Sequence, residues 1–147
     1  MTTHRPRVLF VCVKNGGKSQ MAAGLLRAVS GDAVDVSSAG TRPGSALNAE
    51  SVDALLELGV DIREERPRAL DPADVAAADL VVVLGREAEV ASVDGTPVEV
   101  WDTDEPSERG IEGMERMRLV RADIATRVHE LLPRLTAGVA TGSGPDA

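Results

Sequence analysis

Residues 7–19 read RVLFVCVKNGGKS, and this stretch decides the fold. Arg7 to Val13 is a short, uninterrupted run of β-branched and apolar residues, the pattern of a strand buried on both faces of a parallel sheet. Lys14 to Ser19 is polar and carries the glycine pair Gly16–Gly17, so it reads as a turn with Ser19 as a helix N-cap. Gln20 to Val29 (QMAAGLLRAV) then reads as a helix with Met21, Leu25 and Leu26 near one face. Strand, glycine-bearing turn and helix, in that order, open a doubly wound α/β sheet.

The rest of the chain keeps the alternation. Val34 to Ala39 reads as a second strand, and Asn48 to Leu58 as a second helix capped by Asn48 and stopped by Gly59. Pro72 to Ala78 reads as a short helix. Leu80 to Leu84 (LVVVL) is the clearest buried strand, one helical turn is expected after it, and Val98 to Trp101 is a fourth strand. Asp102 to Gly113 is a long acidic loop. Met114 to Leu135 places Met117, Val120, Ile124, Val128, Leu131 and Leu132 at helical spacing, marking a long amphipathic helix. The expectation is one α/β domain over residues 7–135, a four-stranded parallel sheet flanked by helices. Residues 1–6 and 136–147 are expected to be flexible tails.

Composition limits the function. The 147 residues carry a net charge of -8, with no basic run to offset it, so nucleic acid and anionic membranes are set aside as partners. Phe10 and Trp101 are the only aromatics, so Val, Leu, Ile and Ala must build the core. No apolar stretch approaches the ~18 residues of a membrane span, and the polar segment Met1 to Arg7 is too short for a signal peptide. A soluble, cytoplasmic protein is expected. No His, Cys and carboxylate cluster has metal-ligand spacing, so no metal site is expected.

Cys12 is the only cysteine, which excludes an intramolecular disulfide and makes it a candidate nucleophile. It stands at the carboxyl end of the first strand, where doubly wound folds bind ligands. The loop Val13, Lys14, Asn15, Gly16, Gly17, Lys18 and Ser19 has what an oxyanion needs. Glycines let backbone N–H groups converge, a helix N-terminus follows, and two lysines add charge. Those features also favour a thiolate, and the Ser19 hydroxyl can donate to it. A nucleotide-type phosphate loop is the competing pattern, but Cys12 stands where its first glycine belongs. An inert buried cysteine is the plain structural alternative.

A cysteine, five residues, a basic residue and a serine after an N-terminal strand resembles the low-molecular-weight protein tyrosine phosphatases. It resembles still more closely the arsenate reductases of the same fold. The likeness runs from about Val8 to Leu135, carried by VLFVC at 8–12, SQMAAGLLR at 19–27, SSAGT at 37–41, NAESVDALLELGVDI at 48–62 and the stretch from Trp101 to Pro106. The family loop ends in arginine where this chain has Lys18, and Lys14 replaces a small residue. Lysine is a point charge and lacks the arginine fork, so weaker binding of a phosphoryl transition state is implied. A single cysteine cannot run an internal disulfide relay. The resemblance is therefore to reductases that use an external small thiol such as mycothiol, with a mycoredoxin or glutaredoxin-like protein, and no tightly bound cofactor.

The resemblance also implies a proton donor, an acidic residue just before a proline in the loop after the fourth strand. That position is Glu105, with Asp104 the runner-up and Asp102 third. The amide side chain of Asn15 is expected to brace the loop by hydrogen bonds, with Ser38 beside it. Arg42 is either a loop arginine that attracts an anionic thiol or a solvated surface side chain. The implied activity is reduction of arsenate to arsenite. The alternatives are a low-molecular-weight tyrosine phosphatase working through a phospho-cysteine, and an oxyanion-binding module without turnover.

Overall fold

In β1 (Arg7–Cys12), successive side chains go to opposite faces of the sheet, and both faces are covered. Val8, Phe10 and Cys12 belong to one core cluster, Leu9 and Val11 to the other. That parity sends the Cys12 side chain to the same side as Phe10. The computed structural model describes residues 5–143, with side-chain environments to residue 137.

The remaining elements follow the alternation: α1 (Lys18–Ser30), β2 (Asp35–Gly40), α2 (Ala49–Leu56), α3 (Pro72–Ala77), β3 (Leu80–Leu84), β4 (Val98–Trp101) and α4 (Gly113–Ser143). The four strands are parallel in the order β2-β1-β3-β4. The chain leaves β1 for β2 on one side and returns to β3 on the other. The carboxyl end of β1 is thus the switch point, and Cys12 is its last residue.

α1, α2 and α4 cover the Phe10 face. Met21, Leu26, Leu55, Ile124 and Leu131 are fully buried there, and Phe10 meets Trp101 with ring centroids 5.8 Å apart. α3 covers part of the other face through Val75. The core is aliphatic with one aromatic pair, as the composition requires.

The structure departs from the expected boundaries in instructive ways. α1 starts at Lys18 with Gly17 at its N-cap and so no side-chain cap; Ser19 lies inside the helix and its hydroxyl meets Cys12. Asn48 does cap α2, accepting from the Ser51 amide at 2.8 Å, but α2 ends at Leu56. No helix follows β3; β3 and β4 are joined by turns over 85–97. α4 continues to Ser143, beyond Leu135 where the apolar spacing ends. Residues 1–4 and 144–147 of the expected tails lie outside the described residues. Among the described residues no helix is long and apolar enough to cross a membrane.

Candidate active site

The loop from Cys12 to Lys18 is shaped by where its carbonyls go. The carbonyl of Cys12 accepts from Thr41 N at 3.1 Å, that of Val13 from Arg42 N at 2.7 Å, and that of Lys14 from Gly44 N at 3.0 Å. The Asn15 carbonyl accepts from Gln20 Nε2 at 3.2 Å, that of Gly16 from Asn48 N at 2.7 Å, and that of Gly17 from Met21 N at 2.9 Å. In a planar trans peptide the carbonyl of one residue and the N–H of the next point in opposite directions. Tying six consecutive carbonyls outward therefore turns the amides of Val13, Lys14, Asn15, Gly16, Gly17 and Lys18 inward. The result is a ring of inward amides, a cradle of the geometry that an anion-binding loop requires.

The approach of loop 41–44 that ties these carbonyls depends on Gly40. A Cβ there would lie 2.7 Å from the Val13 oxygen and 3.0 Å from the Asn15 amide. Asn15 turns the loop at a φ of 54°, a left-handed conformation that asparagine tolerates.

The sulfur sits among donors. Asn15 N donates to Cys12 Sγ at 3.3 Å, and Ser19 Oγ lies 3.0 Å from it. The direction of the Ser19 bond follows from Asn15. Its Oδ1 accepts from the Arg68 amide at 3.0 Å and from Gln20 Nε2 at 3.2 Å, which fixes the side-chain amide. Nδ2 must then be the atom that donates to Ser19 Oγ, at 2.7 Å. With a lone pair so occupied, the Ser19 hydrogen is free to point at Sγ. Asn15, Ser19 and Gln20 are all buried, so the chain of bonds is shielded from water. The bracing expected of Asn15 is thus visible atom by atom. Ser38 is buried nearby, and no side-chain hydrogen bond ties it to the loop.

Lys18 turns away from the cradle. Its Nζ donates to Glu105 Oε1 at 2.6 Å and to Thr103 Oγ1 at 2.8 Å. The acidic loop is thereby pinned to the cysteine loop through Glu105. Asp104 is engaged elsewhere. Its carboxylate takes Arg109 at 2.9 and 3.2 Å, and that hydrogen-bonded guanidinium holds its pKa below the ordinary carboxylate value. Asp102 is exposed and paired with Arg86. Of the three acidic candidates, only Glu105 is joined to a residue of the cysteine loop.

Arg42 contributes its backbone to the loop, and its side chain is exposed. His129 is exposed on α4, and His4 lies outside the described residues. Among the described residues no group of His, Cys and acidic side chains could hold a metal ion. Gln20, Thr103 and Arg109 escaped the reading of the sequence. Gln20 alone left a trace there, a polar residue on the side of α1 that must be buried.

Two concavities flank Lys18. One, of about 330 Å³, is lined by the acidic loop together with Arg86, Glu87 and Arg109. The other, of about 460 Å³, lies against the outer flank of the cysteine loop, between it and α4. Cys12 itself lines neither.

The sequence pattern of the low molecular weight phosphotyrosine protein phosphatases matches residues 7–141. The chain belongs to that family. Within it, the chain is 32% identical over 127 residues to a putative arsenate reductase of Halobacterium salinarum, covering 83% of this chain and 87% of that one. It is 34% identical over 127 residues to an arsenate reductase of Halalkalibacterium halodurans, covering 82% and 91%. Among solved structures, the arsenate reductase of Archaeoglobus fulgidus superposes with a TM-score of 0.70 at 30% identity, over 84% of this chain and 97% of that one. The thioredoxin-dependent arsenate reductase of Corynebacterium glutamicum gives 0.73 at 29% identity, over 90% of this chain, which spans only 62% of that protein. The phosphatase fold expected from the sequence is the one observed.

Proposed function

We propose that this phosphatase-family protein is an arsenate reductase that uses an external small thiol. The observation that carries the proposal is the Cys12 sulfur, met by Asn15 N and Ser19 Oγ beneath a ring of inward amides. The relatives named above support arsenate as the oxyanion. The cradle binds the tetrahedral arsenate through the backbone of residues 13–18, close to the nucleophile. The Cys12 thiolate attacks arsenic; the sulfur–arsenic bond forms and an arsenic–oxygen bond breaks. Glu105 supplies the proton that lets the oxygen leave as water. The incoming anion draws Lys18 from Glu105, and Glu105 is freed to carry that proton. Asp104 is the poorer donor, because Arg109 holds it as a carboxylate.

The external thiolate then attacks arsenic and displaces Cys12, which returns as a thiolate. Arsenic is still pentavalent in this thiol adduct. A second thiol, from a redoxin, attacks the adduct's sulfur. A disulfide forms, the sulfur–arsenic electron pair stays on arsenic, and arsenite leaves. Mycothiol or another small thiol, with a mycoredoxin or glutaredoxin-like partner, fills these roles in a cytoplasm that keeps thiols reduced. The lone cysteine favours this route over an internal relay.

The test is arsenite production by the purified protein with arsenate, a small thiol and a redoxin, beside hydrolysis of p-nitrophenyl phosphate. Arsenite is expected, and Cys12→Ser abolishes it. Glu105→Gln lowers the rate by about a hundredfold or more, the usual contribution of a positioned proton donor. Phosphate-ester hydrolysis without arsenite replaces the proposal with the phosphatase reading. Anion binding without either activity leaves only a binding module.

A further inference from the structure

The cavity on the outer flank of the cysteine loop has the opposite charge to the molecule around it. The protein carries 24 acidic and 16 basic residues. Yet the cavity wall contains Lys14, Lys18 and Arg116 and no carboxylate, over an apolar floor that includes Met21, Met117 and Val120. The concavity on the other side of Lys18 is lined by five acids, Glu87, Asp102, Asp104, Glu105 and Glu108. The two spaces are sorted by charge, with the Lys18–Glu105 pair as their divide.

The cations in the first space have uses left over. Lys18 is paired with Glu105, but among the described residues neither Lys14 nor Arg116 has a carboxylate partner. Arg116 Nε is also buried with no hydrogen-bond acceptor. A buried charged donor without an acceptor is costly, and such groups are usually completed by a ligand or water. A volume of about 460 Å³ falls within the ~300–1,000 Å³ typical of small-molecule sites. Two unpaired cations over an apolar floor match a small molecule with carboxylates on an aliphatic frame.

We propose that this cavity is the binding site of the external thiol, and that it selects a thiol bearing carboxylates over an uncharged one. This rests on the arsenate reductase reading. Lys14 and Arg116 hold the carboxylates, the carbon frame lies over the Met117 side of the floor, and the sulfur arm extends over Lys14 toward the mouth of the cradle. Lys14 thus has two neighbours to serve, the oxyanion on one side and the thiol on the other. Arg116 belongs to the thiol alone, which makes it the residue to test.

Binding can be read without chemistry by titrating the protein with S-methylglutathione, a dicarboxylate whose sulfur is blocked, and following amide shifts or heat. Binding to the native protein is expected, weakened about tenfold or more in Arg116→Gln and largely restored in Arg116→Lys, the loss expected for one hydrogen bond to a charged group. In turnover, the KM for glutathione relative to that for uncharged 2-mercaptoethanol rises by a similar factor in Arg116→Gln. No binding to the native protein, or equal binding to Arg116→Gln, overturns the proposal. So does a better KM for mycothiol, which is uncharged, than for glutathione. Absence of arsenite with every thiol sinks the reductase reading instead, and the titration still reports on the cavity.

Discussion

The cysteine loop and the acidic loop face each other across one ion pair and are built by different physics. The cysteine loop is held by buried bonds. Its carbonyls are tied to neighbouring backbone and to Gln20, and Asn15 spends its side-chain amide on Ser19, Gln20 and Arg68. The acidic loop is held largely by exposed pairs, Arg86 with Asp102 and Arg109 with Asp104. Buried hydrogen-bond networks fix a geometry, whereas exposed ion pairs contribute little and are screened by salt. The first loop has its shape fixed from within by buried bonds; the second is fastened largely from its surface.

The sharpest way to break this contrast is at Gly40. Gly40→Ala drives a methyl into the Val13 carbonyl and the Asn15 amide, both of them backbone. A stability loss of about 3 kcal/mol is expected from urea unfolding, with thiol reactivity lost alongside. Next in size is Asn15→Asp, which keeps shape and φ but places an oxygen against Ser19 Oγ. Ser19 then donates to the new carboxylate and not to Cys12. Alkylation of Cys12 by iodoacetamide at neutral pH should slow by about tenfold to a hundredfold, the worth of one hydrogen bond to a charged group. Arg109→Ala, on the acidic side, should leave the urea midpoint nearly unchanged, since exposed ion pairs contribute little. Its visible effect is on Asp104, whose carboxyl should rise toward the ordinary value in an NMR titration. If Arg109→Ala destabilised the protein as much as Gly40→Ala, the contrast between the loops would be wrong.

The smallest effect lies away from both loops. Glu57 is lowered from 4.5 to about 2, chiefly by hydrogen bonds from Arg118 and then Arg121. A carboxyl depressed in the folded state stabilises it fully above its unfolded value and loses that contribution as pH falls through the folded one. The window is thus pH 4.5 down to 2, and Arg118→Ala should shallow the fall in urea midpoint across it.

The same contrast explains what could be read from the chain alone. Buried strands announce themselves as apolar runs, and RVLFVC and LVVVL were legible because burial on both faces leaves only one kind of residue. The parity of β1 and the switch point then place Cys12. The cradle was legible in kind, from its glycines and its place before a helix. Its wiring was not, because the donors come from Thr41, Arg42, Gly44, Asn48 and Arg68, whose backbone amides carry no residue signature. Ser19 misled for a related reason: a hydroxyl that caps helices can serve a sulfur equally well, and only the fold shows which. Of the acidic run 102–105, nothing in the sequence says that Arg109 engages Asp104 and Lys18 engages Glu105. Long side chains choose partners in space. The extension of α4 to Ser143 was missed because its last residues, Thr136 to Ser143, lack an apolar stripe.

α4 has a mechanical consequence. Asp123 accepts the Asp104 amide at 2.8 Å and Arg127 donates to the Asp102 carbonyl at 2.8 Å, while Arg121 donates to the Ala54 carbonyl at 2.7 Å. One rod thus carries fastenings to the segment that bears Glu105 and to α2, whose N-cap Asn48 grips Gly16. A shift of that rod would disturb the segment that bears Glu105 and the Asn48 contact to the cysteine loop at once. α4 is therefore a strut shared by the two loops, acting beside the direct Lys18–Glu105 pair.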